Sequence, residues 1–261
     1  MEDSKGKSPD KYMVPAVEQA CRIIFSLAGN NASQMGLTEI CDQVGIHKSK
    51  AYSILQTMQS FGLVQKKGDR KGYALGPALI ALSRKVLDDL NAPRLAEPVL
   101  EELALKLGCT ATFGLIAGNK VYVVGKHEGG VDVGVTLRTG HRFPLTYGSH
   151  GKAIAAFLPE AERELLLQGP KLYFHGRPEK FDRQRLRQEM EQCRRDGYAL
   201  DLGELNPGIN SVAVPVFGPG EAPIGYIALV GLFSAQEAGI FGPQVVAAGQ
   251  VLSRQLGARV G

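Results

Sequence analysis

Apolar positions in the first third of the chain fall at helical spacing. Within "AVEQACRIIFSLAGNN", Val17, Cys21, Ile24 and Leu27–Ala28 share one face, and Gly29-Asn30-Asn31 ends the stretch, so a helix is expected there. A second helical pattern runs through "GLTEICDQVGIHKSKAYSILQTM", with small or apolar residues at Ile40, Cys41, Val44, Ile46, Ala51, Ile54 and Leu55. Gly36 fits an N-cap, Glu39 stands at the capping-box position, and Gly45 falls where two helices must be joined by a tight turn. Cys41 is small enough for the second helix to approach the first. "LVQKKGDRKGYALG" then reads as two short strands, Leu63–Lys66 and Gly72–Leu75, around a Gly-containing turn. That order is a winged helix-turn-helix. "GPALIALSRKVLDDLNAP" follows as a helix begun at Pro77 and ended by Asn91-Ala92-Pro93. Its stripe of Leu79, Leu82, Val86 and Leu90 needs a cover, for which the same helix of a second copy is suited.

From Pro93 on, strand-like segments enter. "PVLEELALKLG" is an amphipathic helix closed by Gly108, and "TATFGLIAGNKVYVVGKHE" is a hairpin about Gly118-Asn119. "VDVGVTLR" reads as a third strand, and "GSHGKAIAAFLPEAERELLL" as two helices. "FDRQRLRQEMEQCRRDG" is a helix with Phe181, Leu186, Met190 and Cys193 on one face. Three more strands, "YALDLGE", "GINSVAVPVFG" and "APIGYIALVGLF", precede a last helix with a Ser234/Glu237 capping box, interrupted at Gly242-Pro243. An antiparallel sheet flanked by helices makes this part an α+β, sensor-like domain.

At 261 residues, 44% hydrophobic and 21% charged, the chain is long enough for two domains with real cores. The net charge of +4 is mild, but its distribution is not. Between His47 and Lys71 six cations (Lys48, Lys50, Lys66, Lys67, Arg70 and Lys71) face one acid, Asp69, which is +5 in 25 residues. That is an electrostatic footprint for a polyanion. The outward positions of the second helix, Lys48, Ser49, Lys50, Tyr52, Ser53 and Gln56, carry the hydroxyls, amide and ammoniums that suit phosphates and base edges. With Lys66, Lys67, Arg70 and Lys71 of the hairpin they form the candidate surface for double-stranded DNA. Cys21, Cys41, Cys109 and Cys193 form no CxxC pair and read as free thiols of a reducing compartment. The polar start "MEDSKGKSPDKYMVP" lacks a signal-peptide core, and no apolar run approaches the ~20 residues of a membrane helix, so a cytoplasmic protein with no membrane partner is expected.

The order of these segments resembles the IclR family of bacterial transcriptional regulators over nearly the whole chain. "LTEICDQVGIHKSKAYSILQTMQSFGLV" carries the resemblance in the first part. In the second it rests on "GHRFPLTYGSHGKAIAAFLP", "CRRDGYALDLGELNPGINSVAVPVF" and "PIGYIALVGL". The resemblance implies a disordered polar leader over 1–12, a winged helix-turn-helix over 13–76, a linker helix over 77–92 and a GAF-like effector-binding domain over 93–261. It further implies binding to palindromic operators as a homodimer or homotetramer, repression or activation of genes, and control by a small organic effector. By position, the effector site is lined by Val135, Phe143, Ser149, His150, Gly151, Asp201, Ile209, Ser211, Ala228 and Val230. The start of "GSHGKA" offers backbone N–H groups to a carboxylate or similar anion; a carboxylate or aromatic metabolite is the expected ligand. Lys50 and Ser53 replace the Thr and Arg of many members. His150 replaces a small or apolar residue, and Ala228 and Val230 replace small hydroxyl residues, pointing to a less polar ligand.

Other functions find less support. "GSHGKA" fails as a P-loop, because Thr146 and Ala153 stand where Gly and Ser/Thr are required. Cys109 or Cys193 with His127, His141, His150 or His175 has no nucleophile signature. His141 and His150 with Asp132 or Asp201 match no standard ligand spacing. An enzyme, a metal site and a cofactor are therefore not expected. A winged helix used only for protein contacts remains the alternative.

Overall fold

The computed structural model describes residues 13–30, 32, 34–67, 72–89, 91–130, 134, 135 and 137–258, with side chains in α4 described through Ser83. The chain divides into two compact units, 1–90 and 91–261.

The first unit contains α1 (Pro15–Gly29), α2 (Leu37–Val44), α3 (Lys48–Ser60), the antiparallel strands β1 (Val64–Lys67) and β2 (Gly72–Leu75), and α4 (Ala78–Asp89). Gly45 closes α2 in the left-handed conformation at φ 74°, with its N–H on the Cys41 carbonyl, the glycine C-cap that the α2–α3 turn requires. Ile23, Leu27, Met35, Ile40, Val44, Leu55, Met58, Val64 and Tyr73 form the core. The expected face of α1 is borne out at Leu27, which is buried, and at Ile24, which packs on the core, and is corrected elsewhere: Val17, Cys21 and Ala28 point outward with Val14 and Phe25, while Ile23 is buried. On α4, Leu79 is half-buried and Leu82 exposed; the side chains of Val86 and Leu90 lie outside the described residues.

The second unit is α+β. After α5 (Asn91–Leu107) come β3 (Thr110–Ala117), β4 (Lys120–His127), β5 (Arg142–Pro144), α6 (Gly148–Phe157), α7 (Glu160–Leu167) and α8 (Arg183–Asp196). β6 (Ala199–Leu202), β7 (Asn210–Phe217), β8 (Pro223–Gly231) and α9 (Ala235–Gln255) complete it. The sheet is antiparallel in the order β5-β4-β3-β8-β7-β6. Strand alternation divides its two faces. Ala111, Phe113, Val212, Val214, Val216, Ile227 and Leu229 pack under α5 and α9, whereas Ala213, Tyr226 and Ala228 turn to the side of α6 and α8.

Three boundaries differ from the sequence expectation, and proline explains two. α5 begins at Asn91, so Asn91-Ala92-Pro93 starts a helix as well as following one. Pro93 falls in the first turn, where no N–H is needed, and α5 also runs through Pro98. α9 is continuous through Pro243. Gly242 lies under the Tyr198 ring, which a Cβ would approach to 2.4 Å, and burial of Ala238, Val245 and Leu252 outweighs the lost hydrogen bond. The expected strand over 131–138 lies partly outside the described residues. Its described positions, 134, 135, 137 and 138, carry no strand, and β5 is the strand that pairs with β4.

Candidate nucleic-acid interface and ligand cavity

In the first unit, Lys48, Ser49, Lys50, Tyr52 and Ser53 are all exposed along the first turns of α3. Ser53 Oγ donates to the Ser49 carbonyl at 3.1 Å and keeps its lone pairs outward. Gln56 is half-buried, with Nε2 enclosed and without a partner, because it lies one turn further along α3. Lys66 and Lys67 are exposed on β1; Arg70 and Lys71 lie outside the described residues. Lys66 Nζ stands 5.7 Å from the centroid of the Tyr52 ring and 5.7 Å from that of Tyr73. An ammonium shared by two aromatic faces ties the hairpin to α3 by cation–π attraction. Position 66 therefore links the two elements as well as adding charge.

In the second unit, nine of the ten effector positions named from the sequence line one cavity of about 110 Å3: Val135, Phe143, Ser149, His150, Asp201, Ile209, Ser211, Ala228 and Val230. Gly151 is the exception. It packs α6 on the 145–146 backbone, where a Cβ would come within 2.6 Å of the Thr146 carbonyl carbon. Thr112, Leu137, Tyr147, Leu205, Asn206 and Tyr226 also line the cavity and were missed. Tyr226 and Thr112 had a signal: Tyr226 stands two residues before Ala228 on the same strand face, and Thr112 is the β3 partner of Ala228.

The cavity wall is aromatic. His150 stacks on Tyr226 at 4.5 Å, and Phe143 stacks on both His141, at 4.5 Å, and Tyr147, at 4.9 Å. Ser149 and Ser211 hydroxyls meet at 2.7 Å across the α6–β7 boundary. His150 is 7% exposed, and burial pushes its imidazole down to about 3, against a smaller opposite effect of its hydrogen bond to the Pro144 backbone. Proline offers only a carbonyl, so the ring donates there. The unpartnered nitrogen is Nε2, so Nδ1 carries the proton and Nε2 is left as an acceptor. Asp201 is 2% exposed. Its Oδ1 accepts from the N–H groups of Glu204 at 3.0 Å and Leu205 at 3.5 Å, while Oδ2 is buried with no partner. Burial raises the Asp201 carboxyl above its ordinary value, with Lys152 opposing and Glu204 reinforcing the effect.

Behind the cavity sits a charged cluster that the sequence did not disclose. Lys152, 2% exposed, donates to Glu204 Oε2 at 2.7 Å, Glu189 Oε1 at 3.1 Å and the Leu200 carbonyl at 3.2 Å. His175 Nδ1 accepts the Asp182 N–H at 3.2 Å, so Nε2 holds the proton that meets Glu189 Oε2 at 2.9 Å. Arg185 reaches Glu189 at 3.0 Å and also Glu204. Cys109 and Cys193 are buried; burial raises both thiols, Cys193 to about 12, which suits inert packing residues. Among the described residues no three His, Cys, Asp or Glu side chains gather as a metal site, and no helix is long and apolar enough to cross a membrane. Asp132, named with His141 and His150 as a possible ligand, lies outside the described residues.

Comparison with known proteins agrees with this architecture. Residues 16–68 match the IclR helix-turn-helix domain, and residues 84–253 match the bacterial transcriptional regulator IclR C-terminal domain. The HTH-type transcriptional regulator XynR of Escherichia coli is 31% identical over 94% of this chain and 98% of its own. The glycerol operon regulatory protein of Streptomyces griseus is 29% identical over 84% of this chain and 85% of its own. The crystal structure of an IclR transcriptional regulator from Alicyclobacillus acidocaldarius superposes with a TM-score of 0.81 at 25% identity, over 94% of this chain and 100% of that one. A helix-turn-helix with a basic hairpin, followed by a sheet domain with a small internal cavity, is a regulator rather than an enzyme, and this chain belongs to the IclR family of bacterial transcriptional regulators.

Proposed function

We propose that the chain represses or activates its target genes by binding a palindromic operator as a homodimer or homotetramer, under control of a small organic effector. The observation that carries this reading is the exposed cationic face shared by α3 and β1, with Lys66 held between Tyr52 and Tyr73. The first turns of α3 enter the major groove and bring Ser49, Lys50, Tyr52 and Ser53 to base edges. Gln56 stands behind them and reaches the groove only if its side chain swings out. Lys48, Lys66, Lys67, Arg70 and Lys71 meet phosphates. The partly open cavity of the second unit supplies the effector site. Carboxylate and aromatic ligands were the sequence expectation; the ring-lined wall favours a molecule with an apolar face. The effector acts only through its preference for one arrangement of the pair of DNA-binding units, worth about 1–3 kcal/mol, or 5- to 150-fold in operator affinity.

Fluorescence anisotropy with duplexes from upstream of the chain's own gene tests the assignment. Lys67→Ala should weaken binding to operator and random duplex alike, because a phosphate contact carries no sequence information. Lys50→Ala should instead narrow the gap between operator and random DNA, by about 1–3 kcal/mol if it reads a base. Lys66→Ala should do both, since it removes a charge and frees the hairpin from Tyr52. Equal losses on both duplexes for all three variants would refute the division of roles.

A further inference from the structure

The cavity is built to receive hydrogen bonds from a ligand, and its size and charge narrow what that ligand is. The ligand's regulatory role rests on the cavity being the effector site proposed above. Two side chains more than nine-tenths buried aim unpartnered acceptors there, His150 Nε2 and Asp201 Oδ2. Neither Lys nor Arg is among the lining residues. Lys152 lies behind the cavity and is neutralised by Glu189 and Glu204, so the positive potential within the lining comes from the start of α6. Gly148 opens it at φ +50°, and its N–H is already taken by the Tyr173 carbonyl, as that of Gly151 is by Tyr147. This leaves the N–H groups of Ser149 and His150 as donors at the helix start, among the described residues. Asp201 already occupies this end. A Cβ on Gly148 would lie 3.1 Å from Asp201 Oδ2, and the Asp201 charge also helps burial to raise the Tyr147 phenol. A second anion would therefore meet a carboxylate where it needs a cation.

We infer that the cavity selects an uncharged, hydroxyl-bearing molecule, a small diol or triol, whose hydroxyls donate to His150 Nε2 and Asp201 Oδ2. A hydroxyl donates and accepts, so the same groups also take the free N–H groups of α6. A carboxylate group only accepts, so an acid brings one donor fewer to the two orphan acceptors than the matching alcohol does. An ammonium only donates and leaves the helix N–H groups unmet. Size agrees: an apolar cavity of about 150 Å3 holds benzene, so about 110 Å3 admits a backbone of three or four carbons. The rings of Phe143, Tyr147 and Tyr226 face its C–H groups.

The test uses the full chain, purified without glycerol, and two matched pairs of probes: propane-1,2-diol against lactate, and glycerol against glycerate. Calorimetry and thermal melting should show saturable binding of at least one alcohol and none of its acid. His150→Phe should weaken the alcohol by about tenfold, the worth of a hydrogen bond to a buried acceptor. Asp201→Asn keeps the acceptor for Glu204 and Leu205 but removes the charge. It should move the alcohol-to-acid preference toward the acid by about tenfold or more, a gain that misfolding cannot imitate. Acids that bind the native chain as tightly as the alcohols overturn the inference, and so does the absence of alcohol binding. Operator affinity is measured alongside. An alcohol that binds with this variant pattern but leaves DNA affinity unchanged removes the effector role and keeps the selectivity. An acid that fills the cavity and shifts DNA affinity does the reverse.

Discussion

Lys152→Met should cost the second unit about 3–5 kcal/mol, the penalty for removing one partner from a buried ionic cluster. The methionine keeps the length of the stem, so little cavity is created. What remains is Glu189 and Glu204 with one cation, Arg185, whose side chain is 49% exposed, and the Leu200 carbonyl without its donor. With whole-domain stabilities of about 5–15 kcal/mol, a large part of the fold's margin goes with this one amine. Arg185→Ala, at the rim of the same cluster, should cost about 1 kcal/mol or less. Urea unfolding of the full chain, followed in the second unit, separates the two. The double variant Lys152→Met/Glu204→Gln should recover part of the loss, because the carboxylate left unpaired is then neutral. A Lys152→Met cost no larger than that of Arg185→Ala would show that the cluster is solvated and unimportant to stability.

The same cluster gives stability an acid limit. Burial pushes the Glu189 carboxyl up, but its hydrogen bonds with His175 and Lys152 and the Lys152 charge win and hold it below the ordinary value. A depressed carboxylate contributes stability above its unfolded pKa and loses it as pH falls through the folded one. Glu189→Gln should therefore flatten the pH dependence of unfolding below the usual carboxylate range. Asp201, raised by burial, works in the opposite sense and is unchanged in that comparison.

Affinity for duplex DNA should fall by about a thousandfold between roughly 50 and 200 mM salt, from a log–log slope of about −5 per chain. The slope comes from the five cations assigned to phosphates, Lys48, Lys66, Lys67, Arg70 and Lys71, each releasing counterions on contact. Lys67→Ala should reduce its magnitude by about 1. A salt-independent signal, or none, would mean that the winged unit meets a protein surface instead.

Most of the fold was legible because its signals were local. The Gly45 turn, the Gly118-Asn119 hairpin and the Ser234/Glu237 capping box each require particular residues at fixed spacing, and all three stand where expected. What failed depended on neighbours distant in sequence. Pro98 read as a helix start and Pro243 as an interruption, yet tertiary packing carries α5 and α9 through them. The stripe expected on α1 holds at Ile24 and Leu27, but its N-terminal members Val17 and Cys21 are exposed and Ile23 takes the core position instead. The cavity positions came from family resemblance, whereas Lys152 read as part of a glycine-rich motif. Its burial depends on glutamates 37 and 52 residues away, which no local pattern reveals.

The six-stranded sheet ends on β5 and β6, of only three and four residues. Exposed strand margins are templates for uncontrolled polymerisation, and short ones offer too few backbone groups to recruit another chain. The protein can thus keep a partly open cavity in the same domain as two short sheet margins and still resist forming fibres.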